Sequence, residues 1–415
     1  MKRTWIRSGG LLLLSTVLSL LLCEGVLRWI QASRWSQTFY IWPPHMHAVF
    51  DPLKGLYVGI SGRSHFIVNR DGFRGDERSP DDRFRILTVG GSTTECSMLD
   101  QPKTWPYLLQ VELSHRLSAP VWVGNAGRSG DTTHHHVTAI RYLPLEDLDI
   151  HLVLLLVGVN DLSKRLSKDT QYDPFYMDRP GTEEELIAQT FQGSFRPNPN
   201  DPLYKRTAIW QTLMRLRPIL RRGHVQDKAG RVMNLWRSHR QGASEYRDEL
   251  PDLTSALDEF ASNIGRIVDL GRKRGVQTVF MTQPCLWRSD LTAEETALLW
   301  FGGVGDFQQL EHQPYYTVKT LMEAMAMYND RLKQVCRQHE VPCLDLASLI
   351  PSDTTCFYDD VHFNEGGARQ VAHHVANYLL SHELLVASSQ RAGGYHSPPE
   401  TEKMTGTQQS SGSSR

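Results

Sequence analysis

Short apolar runs alternate with longer segments of helical periodicity along most of the chain. Five runs rich in aliphatic and β-branched residues predict β-strands at residues 85–90, 121–125, 152–158, 276–282 and 341–345. Apolar residues at three- and four-residue spacing predict helices at residues 105–117, 132–142, 253–274, 317–338 and 366–382. Such alternation is typical of an α/β protein in which helices cover a parallel five-stranded sheet. The third run is apolar throughout, so we expect it to form a central strand that is buried on both faces.

The N-terminal segment, residues 1–35, is apolar after a basic start. Three basic residues within the first seven precede an apolar run over residues 9–23, which resumes after Glu24 and Arg28. A basic flank followed by an apolar run is typical of a membrane-targeting segment. Because no small-residue cleavage site follows, we favour a retained transmembrane helix over a cleaved signal peptide. The basic flank should stay cytoplasmic, so the rest of the chain is expected on the extracytoplasmic side of a bacterial inner membrane.

The alternating pattern is interrupted after the third predicted strand, between about residues 163 and 251. Turn-rich sequence there leads into a basic stretch with interleaved tryptophans: Arg215, Arg217, Arg221, Arg222, Lys228, Arg231, Arg237, Arg240, Trp210 and Trp236. We interpret this segment as a helical insertion that forms a solvated lid. The alternative is a surface that docks on anionic lipid headgroups or an acidic polysaccharide. Residues 388–415 are dominated by Ser, Gly, Pro, Thr and Gln, which predicts a disordered tail.

The composition is that of a globular protein of 415 residues, with 40% hydrophobic and 22% charged residues. The formal net charge of -1 gives no reason to expect a nucleic-acid partner, because phosphate binding needs a concentrated basic surface. Six cysteines permit disulfides outside the cytoplasm. The predicted elements are compatible with pairing of Cys336 with Cys343 and of Cys285 with Cys356. A set of buried thiols is the equal alternative.

Polar residues follow four of the five predicted strands, at the point where each strand ends. Ser92 follows the first strand, Gly127 the second and Asn160 the third. Asp359 and His362 come after the fifth. Because the carboxyl ends of parallel strands meet at one edge of a sheet, we expect these five residues to lie on a single rim.

Three of these residue types suit nucleophilic catalysis on an ester. The Ser92 hydroxyl needs a base to accept its proton, and the His362 imidazole titrates near neutrality. Asp359 is expected to accept the second ring N–H of the histidine and to stabilise the imidazolium. The negative charge that develops on the carbonyl oxygen would be stabilised by the Ser92 and Gly127 amides and by the Asn160 carboxamide.

Each of these residues also has a structural interpretation. The sequence STTE at residues 92–95 matches a helix-capping box, Gly127 fits a turn, and residues 160–161 fit the start of a helix. Asp360 is an alternative partner for the histidine, since adjacent carboxylates cannot be separated without geometry. The catalytic interpretation is favoured because all of these residues occur together, each after its expected strand.

Three consecutive histidines, residues 134–136, raise the question of a metal site. Consecutive residues of a helix point about 100° apart, so the three side chains cannot all face one ion. We therefore expect packing or exposed histidines. The sequence also contains no C-x-x-C, no H-E-x-x-H and no glycine-rich phosphate loop. We expect neither a metal nor a cofactor.

Four short blocks together resemble the conserved blocks of the SGNH, or GDSL-type, hydrolase superfamily. They are GGSTTE at residues 90–95, NAG at 125–127, GVND at 158–161 and DDVH at 359–362. The likeness covers residues 64–384 apart from the insertion, and it implies a three-layer flavodoxin-like sandwich. It also implies that Ser92 is the nucleophile, that Asp359 and His362 complete a triad, and that Ser92, Gly127 and Asn160 form an oxyanion hole.

Two further features qualify this resemblance. The stretch VNRDGFRG at residues 68–75 resembles the lead-in found in membrane-anchored bacterial members that act in the cell envelope. In the motif Gly-Asp-Ser, the acidic residue is replaced here by Gly91. This departure bears on the substrate and the efficiency more than on the class of reaction.

We therefore expect a membrane-anchored serine esterase that acts on acyl esters, acetyl esters above all, of envelope glycans or lipids through an acyl-enzyme. The expected partners are the acylated substrate, the membrane, and proteins of the envelope or of polysaccharide export. If a sugar hydroxyl resolves the acyl-enzyme, the protein is instead an O-acetyltransferase of an exported polysaccharide. A third hypothesis is a non-catalytic envelope protein that binds a glycan or a partner protein in the same cleft.

Overall fold

The protein is described here by a computed structural model, which covers residues 2–34, 39–173, 179, 181–191, 202–220, 225–226 and 228–385. Its helices are α1 (Lys2–Arg34), α2 (Ser92–Glu95), α3 (Trp105–Leu117), α4 (Thr133–Tyr142), α5 (Val159–Lys168), α6 (Thr182–Thr190), α7 (Ala208–Leu220), α8 (Lys228–Gln241), α9 (Thr254–Lys273), α10 (Ala293–Thr296), α11 (Val318–Gln338) and α12 (Glu365–Ser381). Its strands are β1 (His47–Phe50), β2 (Ser64–Ile67), β3 (Phe84–Gly90), β4 (Val121–Asn125), β5 (Leu152–Leu156), β6 (Val225–Gln226), β7 (Tyr246–Arg247), β8 (Gln277–Met281), β9 (Tyr315–Tyr316) and β10 (Cys343–Leu344). The tail predicted at residues 388–415 lies outside the described residues.

The central sheet has five strands in the order β10-β8-β5-β3-β4, and every neighbouring pair is parallel. Strand β5 lies in the middle, and all five of its residues are buried. The prediction of an α/β fold with a five-stranded parallel sheet is therefore confirmed, as is the central position of the apolar third run. This strand ends two residues earlier than predicted, because Gly158 adopts φ +115° and α5 begins at Val159.

Helices cover both faces of the sheet, since the residues of β5 are buried on both sides. Helix α3 packs against α12, whereas α9 packs against α4, α5 and α11. The helices predicted from apolar spacing agree with α3, α4, α9, α11 and α12 to within one residue at each end. Because all five strands are parallel, the loops that follow them emerge at the same edge of the sheet, and the candidate site lies at this edge.

The insertion after β5 is helical, as predicted, and it contacts several other parts of the protein. Helix α6 packs against α4, and α7 packs against α1 and β1. Strand β6 extends the antiparallel pair β1–β2, and β7 pairs with β9. Because these strands link the insertion to distant segments, it forms part of the folded domain.

Helix α1 contains the apolar stretch Gly10–Ile30, whose mean hydropathy is 2.1. The most apolar part of this stretch is not buried against the rest of the protein. Within the described residues, α1 is the one helix that is long and apolar enough to cross a membrane. A signal sequence near the N-terminus would meet the same criteria.

All six cysteines are free thiols, so neither predicted disulfide is formed; Cys96, Cys336 and Cys356 are buried, as the alternative expected, whereas Cys23 is exposed. Cys336 and Cys343 share a side-chain hydrogen bond without a covalent bond. Cys285 contacts the backbone of Trp287, whereas Cys356 contacts Thr355. Burial raises the pKa of the Cys285 thiol to about 12, which keeps it protonated at neutral pH.

Candidate active site

Ser92 is the first residue of α2, directly after β3, so the strand-to-helix turn presents its side chain at the rim of the sheet. Its Oγ lies 2.7 Å from Nε2 of His362, a residue 270 positions away in the chain. The side chain makes no capping hydrogen bond, because the N-cap position is occupied by Gly91. The carboxylate of Glu95 accepts a hydrogen bond from the Ser129 amide instead. The capping-box interpretation of residues 92–95 is therefore wrong.

Asp359 holds the other side of the His362 ring. Its Oδ2 lies 2.8 Å from Nδ1 of the histidine. Its Oδ1 accepts hydrogen bonds from the amides of Val361 at 3.0 Å and His362 at 2.9 Å. The indole Nε1 of Trp300 donates to Oδ2 at 3.1 Å. The side chain of Asp359 is fully buried, so these four contacts fix the orientation of the carboxylate.

Asp359 and His362 each shift the pKa of the other toward its charged form. Burial alone would lower the pKa of His362, but the Asp359 carboxylate outweighs burial and holds that pKa above its ordinary value. Burial would likewise raise the pKa of Asp359, but the imidazole and the backbone N–H donors hold it below its ordinary value. Asp359 is therefore ionised at neutral pH and stabilises a positive charge on the ring when the histidine takes up a proton.

Asp360, the alternative partner for the histidine, points elsewhere. Its Oδ1 accepts a hydrogen bond from Nε1 of Trp287 at 2.8 Å, and its Oδ2 accepts from the amides of Trp300 at 2.7 Å and Phe301 at 3.1 Å. Asp360 thus positions the loop that carries Trp300, whereas Asp359 contacts the histidine. The geometry separates two carboxylates that sequence could not separate.

Two aromatic rings enclose the imidazole, and sequence analysis missed both. Trp300 stacks on His362 with ring centroids 6.2 Å apart and an interplanar angle of 13°. Tyr358 stacks on the imidazole at 5.5 Å and 10°. Tyr358 adjoins the DDVH block, which was a usable signal. Trp300 lies in an irregular segment about 60 residues upstream, where no local pattern marks it.

Asn160 is the second residue of α5 and lines the same cleft as Ser92. Its Nδ2 donates to the backbone oxygen of Asp131 at 2.9 Å, which leaves the second N–H of the carboxamide for a ligand. This Nδ2 lies 2.2 Å from the position that a Cβ atom on Gly91 would take. A side chain at position 91 would therefore require the Asn160 carboxamide to shift.

Gly127 is not placed as an oxyanion donor, which disagrees with the sequence-based prediction. Its amide donates to Oδ1 of Asn125 at 2.8 Å. A Cβ on Gly127 would lie 2.4 Å from the Glu95 amide, so this glycine is required for close packing against α2. It is not among the residues that line the cleft.

Gly130 is a further glycine of the same loop. It lines the cleft together with Ser92 and Asn160, and its φ of +83° suits glycine. Within the described residues, no acceptor takes a hydrogen bond from its amide.

Asp161 caps a neighbouring helix rather than its own. Its Oδ1 accepts hydrogen bonds from the Thr133 hydroxyl at 2.6 Å and from the Thr133 amide at 3.1 Å. Thr133 is the first residue of α4. The contact ties the N-termini of α4 and α5 together and so fixes the distance between the Gly130 loop and Asn160.

The three consecutive histidines have three different environments. His134 pairs with Glu259 at 2.7 Å, and His135 contacts Gln189 at 3.1 Å and lines the cleft. His136 is buried, and burial lowers its pKa to about 3. Within the described ranges, no group of His, Cys, Asp and Glu side chains is arranged to hold a metal ion.

The cleft beside Ser92 has a volume of about 810 Å³ and is lined by both aromatic and polar side chains. Helix α8 of the insertion contributes Trp236, which packs on Trp300 with ring centroids 4.9 Å apart. The insertion therefore forms one wall of the cleft, next to the ring that stacks on His362.

Two arginines of the predicted basic surface are buried, which corrects that part of the prediction. Arg237 donates to the backbone oxygens of Leu56 at 3.0 Å, Leu298 at 3.1 Å and Tyr358 at 3.0 Å. Arg240 donates to the backbone oxygens of Phe301 and Tyr316, which lie next to the Trp300 segment. The guanidinium groups satisfy carbonyls of irregular backbone, so they face inward. The side chains of Arg215, Arg217, Arg221, Arg222 and Lys228 lie outside the described residues.

Known proteins with similar sequences and structures can now be set beside this geometry. The sequence pattern of the GDSL-like lipase/acylhydrolase family matches residues 88–370. No curated protein matches the chain. The structure is similar to Axe2, an acetylxylan esterase from Geobacillus stearothermophilus, with 11% identity over 72% of this chain and 94% of that one and a TM-score of 0.36.

Two other solved structures show a comparable likeness. A GDSL-like lipase from Bacteroides thetaiotaomicron shares 10% identity over 72% of this chain and 89% of that one, with a TM-score of 0.34. LAE5, an α/β hydrolase enzyme from the metagenome of Lake Arreo, Spain, shares 11% identity over 74% of this chain and 98% of that one, with a TM-score of 0.38. Because the family pattern spans more than half of the sequence, the chain belongs to the GDSL-like lipase/acylhydrolase family of ester-hydrolysing serine hydrolases.

Proposed function

We propose that this protein is a membrane-anchored esterase that removes short acyl groups, above all acetyl, from glycans of the cell envelope. The observation that carries the proposal is the continuous chain of contacts from Ser92 Oγ to His362 Nε2 at 2.7 Å and from His362 Nδ1 to Asp359 Oδ2 at 2.8 Å. A hydroxyl, an imidazole and a carboxylate in this order are the groups that acyl transfer through a serine requires.

The first half of the reaction forms an acyl-enzyme. Ser92 Oγ attacks the ester carbonyl carbon while His362 Nε2 takes the hydroxyl proton, and Asp359 stabilises the imidazolium. The negative charge on the carbonyl oxygen is stabilised by the amides of Ser92 and Gly130 and by Nδ2 of Asn160. When the bond to the leaving alcohol breaks, the imidazolium donates its proton to that alcohol.

The second half regenerates the serine. A water molecule attacks the acyl carbon and gives its proton to His362 Nε2. The bond to Ser92 Oγ then breaks, the proton returns to this oxygen, and the carboxylic acid leaves. If a sugar hydroxyl enters in place of water, the same steps transfer the acyl group to the sugar.

The lining of the cleft favours a glycan as the alcohol part of the ester. Trp236 and Trp300 present aromatic surface next to His362. Polar side chains surround them, including Ser163, Gln189 and Gln308. A sugar ring has apolar C–H faces and hydroxyl edges, so it suits an aromatic wall with polar groups around it.

A second, narrow recess favours a short acyl group. It adjoins Ser92 and His362, and its other lining residues are Thr93, Cys96, Met98, Leu99, Tyr358 and Phe363. It has no room for a water molecule as it stands. A small movement admits an acetyl group there, whereas a long fatty acyl chain would require the surrounding core to rearrange.

The anchor in this proposal is α1, through its apolar stretch Gly10–Ile30. With its basic flank in the cytoplasm, the catalytic domain faces the extracytoplasmic side. This location would give the enzyme access to acylated polymers of the envelope.

The test uses the full chain in detergent, with a fluorophosphonate probe and an aryl acetate. Wild type should be labelled and should release acetate, and Ser92→Ala should do neither. Ser163→Ala, which removes another hydroxyl of the cleft, is the matched control and should keep both activities. If the wild-type protein is folded but neither reacts with the probe nor releases acetate, the proposal is wrong.

The substrate class is tested with acetylated glycans against long-chain lipid esters. Acetylated glycans should be the better substrates. Trp236→Ala should raise KM for them while leaving the hydrolysis of the small aryl acetate nearly unchanged. A product in which acetate appears on an added sugar would identify transfer instead of hydrolysis.

A further inference from the structure

Helix α1 carries one acidic residue within its apolar stretch, and this residue contacts the insertion. The carboxylate of Glu24 accepts hydrogen bonds from the amides of Ala208 at 2.8 Å and Ile209 at 3.0 Å. It also pairs with Arg28, one turn further along α1, at 2.8 Å. Ala208 and Ile209 are the first residues of α7, whose amides have no partner within their own helix. Glu24 therefore caps α7 from a separate helix.

This contact makes sense for both helices. An unpaired carboxylate in an apolar membrane segment is costly, and here two N–H donors and a guanidinium satisfy it. A helix N-terminus also favours negative charge. The contact fixes the N-terminus of α7 at one position along the axis of α1.

The height follows from helix geometry. Glu24 lies six residues before Ile30, the end of the apolar stretch, which corresponds to about 9 Å along the helix. Amphipathic helices of membrane interfaces bury their apolar face to a depth of about 5–10 Å. The N-terminus of α7 is thus held at the depth that an interfacial helix occupies.

The surface around this junction is apolar and exposed. Leu203 and Tyr204, in the turn before α7, are 79% and 56% exposed, and Leu213 on α7 is 53% exposed. Trp29, on the neighbouring end of α1, is 71% exposed. Tryptophan and tyrosine are enriched where headgroups meet acyl chains, so these residues suit a lipid surface better than water.

We propose that residues 203–213, which form the turn before α7 and the first half of that helix, lie in the interface of the lipid bilayer. They would dock the catalytic domain on the membrane. The inference rests on the anchoring of α1 included in the proposed function. The insertion continues from α7 into β6, which pairs with β1, and into α8, which carries Trp236 to the cleft. The cleft is therefore held at a fixed height above the membrane, which suits a substrate that is presented close to the bilayer.

The test measures membrane depth in the full chain, reconstituted in vesicles of phosphatidylcholine and phosphatidylglycerol. An environment-sensitive fluorescent amino acid replaces one residue at a time, and lipids with a nitroxide on the acyl chain serve as quenchers. Leu203 and Leu213 are the test positions. Leu18 on α1 and Val111 on α3, both similarly exposed, serve as membrane and water references.

The proposal expects a clear loss of fluorescence at Leu203 and Leu213, as at Leu18, with no loss at Val111. If Leu18 is quenched while Leu203 and Leu213 behave like Val111, the anchor is real and the interfacial docking is wrong. If Leu18 is also unquenched, the anchoring fails and the docking fails with it. Hydrolysis of a soluble aryl acetate by the same samples reports separately on the catalytic proposal.

A second pair of variants tests the cap itself. Glu24→Ala removes both acceptors and should reduce quenching at Leu203 and Leu213 while Leu18 remains quenched. Glu24→Gln keeps one acceptor oxygen and should retain most of the quenching. Both should hydrolyse the soluble aryl acetate like wild type, because Glu24 is remote from Ser92. Equal quenching in wild type and Glu24→Ala would show that the cap does not hold α7 at the membrane.

Discussion

Two regions of the chain meet at His362, and they are positioned by different means. The rim of the central sheet provides Ser92 and Asn160 from the first turns of helices that follow strands, and His362 from the loop before α12. The insertion provides Trp236 and Arg237 from α8, far from any strand of that sheet. Backbone hydrogen bonds between β3 and β5 locate Ser92 and Asn160, whereas side-chain packing and arginine contacts locate Trp236 and Arg237.

Residues on the rim therefore take part in the reaction, whereas residues of the insertion hold the surrounding loops in place. Substitutions on the rim remove a group that reacts or stabilises charge. Substitutions in the insertion leave those groups in place but loosen the loops that hold them. Arg237 shows the connection most directly, since one of its contacts is the backbone oxygen of Tyr358, the residue before Asp359. The following expectations test that division.

The largest effect is expected for Asp359→Asn. The carboxamide cannot stabilise the imidazolium and favours the wrong tautomer, so kcat for an aryl acetate should fall by about 10⁴-fold. Asp360→Asn is the matched control. It should lower the melting temperature, because Asp360 accepts three N–H donors, but should reduce kcat far less. Equal losses of kcat in the two variants would contradict the assignment of Asp359.

Asn160→Ala is expected to have the next largest effect. Loss of one oxyanion donor typically costs about 10²–10³-fold in kcat. The KM for the aryl acetate should change little, because the donor acts on charge that develops during the reaction. The control is Ser163→Ala on the same helix. A loss confined to KM would show that Asn160 binds substrate instead.

In the insertion, Arg237→Ala should affect stability more than chemistry. Three buried backbone oxygens would lose a charged donor, which should cost about 3 kcal/mol of unfolding free energy. Arg231→Ala, on the exposed side of α8, should change stability by less than about 0.5 kcal/mol. Urea unfolding measured by tryptophan fluorescence checks both. A stable Arg237→Ala protein with wild-type kcat would show that α8 does not support the site.

The smallest effect is the pH dependence of the wild-type enzyme. The base is the neutral imidazole of His362, whose pKa lies above its ordinary value because of Asp359. The value of kcat/KM should therefore fall about tenfold per pH unit below that raised pKa. In Asp359→Asn the main cause of the raised pKa is gone, so the acid limb should move to lower pH. An acid limb at the same pH in both enzymes would contradict this coupling.

The sequence by itself determined the α/β class, the five strands, the main helices and the rim on which Ser92, Asn160, Asp359 and His362 lie. These features depend on local periodicity and on the order of strand ends, which a linear sequence encodes directly. Tertiary structure decided between Asp359 and Asp360, and it engaged the Gly127 amide with Asn125, since neighbouring residues in a loop can face opposite ways. It also decided the free cysteines and the roles of Trp300, Trp236 and Arg237. Those depend on contacts between segments distant along the chain, which leave no periodic trace in either segment.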